Sequence, residues 1–124
     1  MVILHTAAQI AAMRKAGQLV AKTFAHLMPL VVPGVSTHAL DSAAEQFIRA
    51  NGATPAYKGY LGFPATICVA PNSVICHGIP SPTSILHDGD IIGLDIGVIL
   101  DGWYGDACIT VPVGTISSAA QRLL

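Results

Sequence analysis

Asp95, Asp106 and His77 are the side chains whose type and setting state a chemistry in this sequence. The aspartates stand in Val/Ile-rich runs on either side of Asp101-Gly102. Asp-Gly tolerates the positive φ angles of a type I′ turn, so these runs are read as one β-hairpin with a two-residue loop. Leu100 then faces Trp103, Gly97 faces Asp106 and Asp95 faces Cys108. Cross-strand partners share a face, as do residues two apart on one strand, so Asp95 and Asp106 become diagonal neighbours with α-carbons about 7–8 Å apart. Two such carboxylates repel one another unless one takes a proton or a cation lies between them. A shared divalent metal is the sharper reading, and plain solvation of acids on a half-exposed strand also accounts for the spacing.

The elements that must position these acids follow from the same pattern. On the first strand, Ile92, Leu94, Ile96, Val98 and Leu100 form an apolar row suited to packing under helices. The acid face carries Gly93 and Gly97 on either side of Asp95, and the missing side chains leave room there for an ion or a ligand. His77 is expected at the end of an apolar strand, since Thr66 to Ala70 and Ser73 to Cys76 are strand candidates around a Pro71-Asn72 turn. Next to Gly78, its imidazole either projects into a cleft or serves the structure. Cys76-His77 does not form a thiol–base pair on this reading, because neighbours on a strand point to opposite faces. His5, His26, His38 and His87 fall in caps, helices or loops without metal-ligand spacing.

Ahead of the hairpin, Thr6 and Gln9 have the form of a capping box, and Ile10, Met13, Gly17, Val20, Phe24 and Leu27 recur at helical spacing. This predicts an amphipathic helix of about five turns, stopped or bent at Pro29, with a turn at Pro33-Gly34. Ser36 or Thr37 caps a second helix whose apolar face is Leu40, Ala43, Ala44, Phe47 and Ile48, closed by Asn51-Gly52. Residues 53–64 are rich in Gly, Pro and aromatics and read as a long loop. Its Tyr57, Tyr60 and Phe63 suit the lining of a pocket and a lid over the core equally well. Asp88-Gly89-Asp90 turns the chain into the hairpin, and residues 115–124 begin a last helix.

Composition sets the outer bounds. The chain has 124 residues, enough for one domain with one core. Only 10% of residues are charged while 52% are hydrophobic, so an apolar patch covered by another protein surface is expected. No run approaches the ~18 uninterrupted apolar residues of a membrane span, and Arg14 and Lys15 break up any secretory signal. A net charge of −1 gives no pull toward nucleic acid. Cys68, Cys76 and Cys108 leave one thiol unpaired under any pairing, which favours a reducing, cytoplasmic setting.

Cys76-His77-Gly78-Ile79-Pro80, Asp88-Gly89-Asp90, Asp95 and the run from Asp101 to Asp106 resemble the N-terminal half of a type I methionine aminopeptidase. Met13 to Gly17 and Pro33 to Thr37 match as well, so the resemblance covers nearly the whole chain in order. It implies an α+β fold, half of a pita-bread, with an antiparallel sheet covered on one face by two α-helices and residues 1–124 as one half-domain. It also implies that Asp95 and Asp106 are metal ligands and that His77 is a catalytic histidine touching the substrate near the scissile amide. Tyr60, Phe63 and Cys68 fall where the family holds the methionine side chain of an N-terminal Met peptide. The family's cofactor is a divalent metal: Co, Mn, Fe or Zn. Its remaining ligands, one histidine and two glutamates, have no counterpart here, because Glu45 is the only glutamate and no histidine follows His87. Weak or absent metal binding and no activity alone are therefore expected, with a homodimer or a complementary C-terminal half as the partner.

Overall fold

A computed structural model describes residues 3–124. Helix α1 (Ala7–Leu27) and helix α2 (Thr37–Ala50) are followed by strands β1 (Thr54–Pro55), β2 (Ile67–Pro71), β3 (Ile91–Leu100) and β4 (Trp103–Pro112), and by a short helix α3 (Ser118–Leu123). The capping box forms: the Gln9 amide donates to the Thr6 hydroxyl at 3.3 Å, and the Thr6 amide donates to Gln9 Oε1 at 2.7 Å. Pro29 sits in a single 3₁₀ turn (Met28–Leu30) that ends α1, because a proline cannot supply the next helical N–H. Ser36 caps α2, its hydroxyl accepting from the Ala39 amide at 3.1 Å, and Gly52 takes the left-handed position after the helix with φ +77°. Asn51, equally suited by type, stays at φ −96°.

All strand pairs are antiparallel. β4 pairs with β3 along its full length, and β1 and β2 lie end to end on the other edge of β3. Asp101 and Gly102 have φ +51° and +80°, the type I′ geometry that the Asp-Gly pair predicts. The register is also the expected one: Leu100↔Trp103, Gly97↔Asp106 and Asp95↔Cys108. Ile92, Leu94, Ile96 and Val98 are fully buried beneath the two helices, against Leu19, Val20, Phe24, Leu27, Leu40 and Ile48. The opposite face of the sheet carries the aspartates.

Two contacts fix how the helices sit. A Cβ on Gly105 would lie 2.6 Å from the backbone of Ala16, so only glycine lets β4 and α1 approach this closely. Asp41, buried on α2, accepts the Thr66 and Ile67 amides at 2.8 and 2.9 Å and so ties that helix to the start of β2. The predicted apolar stripe of α1 is only partly buried. Gly105, near the hairpin tip, already lies against Ala16, so the preceding turns reach the end of the sheet and leave Ile10 and Met13 exposed.

One expected strand is absent. Ser73 to Cys76 form a turn instead, with Asn72 at φ +50°, His77 at φ +54° and the Val74 amide donating to the Pro71 carbonyl at 3.1 Å. The Asn72 side chain holds this reversal. Its Nδ2 donates to Asp90 at 2.9 Å and its Oδ1 accepts the Ile91 amide at 3.2 Å, which ends the pairing of β2 with β3. The alternation that separated Cys76 from His77 therefore does not apply.

Candidate active site

The hairpin presents Asp95 and Asp106 on the uncovered face of the sheet, and the loop from Ala56 to Phe63 folds over them. That loop is tied to β3 at its start, where the Ala56 amide donates to the Gly97 carbonyl at 2.9 Å, and is closed on itself by the Gly59 amide, which donates to the Phe63 carbonyl at 2.8 Å. Lys58 adds an ion pair to Glu45 on α2 at 2.6 Å, a partly solvated contact of modest strength. Hydrogen bonding from Lys58, above all, lowers the Glu45 pKa below its ordinary value.

His77 reaches the same place from the other side. The Val69 amide of β2 donates to the Gly78 carbonyl at 3.0 Å, and a Cβ on Gly78 would overlap the Val69 carbonyl, so glycine permits the approach that brings His77 alongside the sheet. A cleft of about 520 Å³ results, lined by Tyr57, Tyr60, Leu61, Gly62, Phe63, Pro64, Cys68, His77, Ile79, Asp95 and Asp106. His77, Asp95, Asp106, Tyr60, Phe63 and Cys68, the residues singled out from sequence, are thus gathered around a single cavity.

The electrostatics are set by the acids. Cys68, Asp95 and Cys108 stand in one row across β2, β3 and β4. Burial, and then the charge of Asp95, pushes the Cys68 thiol up to about 11. The Cys108 thiol is raised for the same reasons, burial first. All three cysteines are free.

Tyr57, read from sequence as pocket lining or lid, lines the cleft and also makes a contact that the sequence reading did not foresee. Its hydroxyl lies 2.6 Å from Asp95 Oδ1 and 2.9 Å from Asp106 Oδ1, donating its one hydrogen to the pair. Burial, followed by these two carboxylates, raises its pKa far above that of an ordinary phenol. A signal for it exists in Gly97. The space above this glycine, expected to admit an ion, is filled by the Tyr57 ring, whose Cε1 would lie 2.5 Å from an added Cβ. The space above Gly93 is likewise closed by the Ala70 side chain.

Convergence of two carboxylates on one point is what a divalent cation requires, yet the donor set does not complete a metal site. Among the described residues no group of three or more His, Cys, Asp or Glu side chains is placed to hold a metal ion, and the point of convergence belongs to the Tyr57 hydroxyl. Nor is any described helix long and apolar enough to cross a membrane.

The comparisons with known proteins agree with this geometry. The chain is 50% identical over 116 residues to a methionine aminopeptidase of Helicobacter pylori, covering 94% of this chain and 46% of the relative. It is 47% identical over 124 residues to methionine aminopeptidase 1 of Bacillus subtilis, covering 100% of this chain and 50% of that protein. The crystal structure of methionine aminopeptidase from Rickettsia prowazekii superposes with a TM-score of 0.96 at 41% identity, over 99% of this chain and 49% of that one. The chain therefore spans about half the length of the relatives it matches, and its fold is half of their pita-bread. Residues 11–124 match the family model described as metallopeptidase family M24, and on that match, with these relatives behind it, the chain belongs to metallopeptidase family M24.

Proposed function

We propose that these residues form one wall of a methionine aminopeptidase site, which removes an N-terminal methionine from a peptide. Asp95 and Asp106 are its divalent-cation ligands, with Co, Mn, Fe or Zn as the candidate ions. His77 contacts the substrate beside the scissile amide, and Tyr60, Phe63 and Cys68 receive the methionine side chain. The observation that carries this reading is the gathering of all six side chains around one cleft of about 520 Å³. A mostly apolar cavity with a few convergent polar groups suits an apolar side chain attached to a charged terminus. The free cysteines fit a reducing, cytoplasmic setting for the reaction.

On the same reading the 124 residues are inactive alone, because two carboxylates are too few for a tightly bound catalytic metal. The missing ligands come from a complementary C-terminal half. Incubating the pure chain with a Met-Ala-containing peptide and Co²⁺ or Mn²⁺ is expected to release no methionine. Adding such a half is expected to restore release, and Asp106→Ala in this chain to abolish it. Robust release by the chain alone, lost in Asp106→Ala, would overturn the proposed inactivity.

A second reading is a homodimeric or peptide-binding module, favoured by apolar side chains around the cleft: Leu61 is 91% exposed and Tyr60 68%. Mass in solution, measured with and without Mn²⁺, separates the two. A metal-independent dimer supports the module, and a monomer at high concentration that binds no peptide argues against it.

A further inference from the structure

We infer that Tyr57 is a built-in plug of the metal-ligand pair: its phenol ties Asp95 to Asp106 while no cation is bound and must swing away for one to enter. The inference rests on the assignment of these aspartates as cation ligands. Three observations carry it. The hydroxyl makes both short contacts at once, 2.6 Å to Asp95 and 2.9 Å to Asp106, so it stands at the point toward which the carboxylates converge. The ring has a prepared seat, since Gly97 offers no side chain where Cε1 and Cζ would lie 2.5 and 2.8 Å from an added Cβ. The backbone beneath is fixed as well, through the Ala56 amide on the Gly97 carbonyl and the Lys58–Glu45 ion pair.

Chemically, the phenolic O–H does for two negative groups part of what a cation does: it places positive charge between them. It therefore competes with the ion for the same oxygen atoms. A neutral donor is also a weaker partner than a divalent ion, so a cation held by a complete ligand set would displace it readily and one held by two aspartates alone only weakly. Tyr57 is on this view a positioning residue that keeps the ligands gathered in the unfilled site.

Mn²⁺ titration of the whole chain, followed by the loss of the free-ion paramagnetic resonance signal, tests this. Tyr57→Phe keeps the ring on Gly97 and removes the donor, and it is expected to bind Mn²⁺ about tenfold more tightly than the parent, as the loss of competing hydrogen bonds to charged groups implies. Gly97→Ala evicts the ring by a different route and is expected to change affinity in the same direction, which keeps the test open if one variant folds poorly. In both, the added affinity is expected to disappear with Asp106→Asn. Equal or weaker Mn²⁺ binding by Tyr57→Phe, still dependent on Asp106, would refute the plug and leave the ligand assignment standing. No binding by parent or variants would also refute the plug, because removing the phenol is expected to expose the pair, whereas Mn²⁺ binding that survives Asp106→Asn would overturn the ligand assignment.

Discussion

Cys68 is buried on β2 with Asp95 beside it on β3, and both circumstances penalise a thiolate. Its pKa of about 11 stands against an ordinary value of 9.0, so the folded state holds the proton more tightly than the unfolded state does. The stability this brings is fully present below pH 9.0 and is lost as pH rises through about 11. The same difference governs reactivity, because the thiolate is the nucleophile. Brief alkylation of the native chain at pH 8, followed by peptide mapping, is expected to modify the exposed Cys76 and to spare Cys68. Modification of Cys68 at a comparable rate would show that the cleft admits the reagent and that the thiol ionises far more easily than its surroundings allow. At this scale Asp95, Asp106 and His77 were legible in the sequence because acids and a histidine beside apolar runs stand out by type. Tyr57 was legible as an aromatic of a pocket or lid but its bond to the aspartates was not, because an aromatic in a loop carries no sign of the carboxylates it will meet, and only the glycine beneath it hints that something must fill the space.

The link between α2 and β2 depends on one carboxylate. Asp41 accepts two amides at 2.8 and 2.9 Å with its side chain buried, so removing it leaves two buried N–H groups without a partner. Asp41→Ala is expected to destabilise the fold by about 3 kcal/mol, and Asp41→Asn, which keeps an oxygen acceptor, by less than half as much. Urea unfolding checks this through the midpoint, with an unchanged slope showing that the exposed surface on unfolding is the same. The two long helices and the hairpin were readable because their signals are local: a capping box, helical periodicity, an Asp-Gly turn. The segment from Ser73 to Cys76 misled for the converse reason. Its β-prone residues meet no free edge, since Asn72 ends the pairing of β2 by taking Asp90 and Ile91 as partners. Register between elements far apart in sequence, such as Pro55 opposite Val98, has no local signal at all.

For the molecule as a whole, the helices cover one face of the sheet and leave the other to the cleft, which agrees with the low charge and high apolar content read at the outset. β3 is held along both edges, by β4 on one side and by β1 and β2 on the other, whereas β4 has β3 as its only strand partner among the described residues. In a hairpin closed by a two-residue turn, Leu100 and Trp103 exchange hydrogen bonds and the pairing then alternates, so the amides of Tyr104, Asp106, Cys108 and Thr110 point away from β3. Amide hydrogen exchange is expected to separate these two populations, with the alternate β4 amides exchanging early and those of Leu94, Ile96 and Val98 only on global opening. Slow exchange at Asp106 and Cys108 would mean that a further surface seals this edge. The candidate ligands thus differ in mechanical footing. Asp95 rides on a strand paired along both edges and Asp106 on one paired along a single edge, so the spacing of the pair depends on how firmly that outer strand is held.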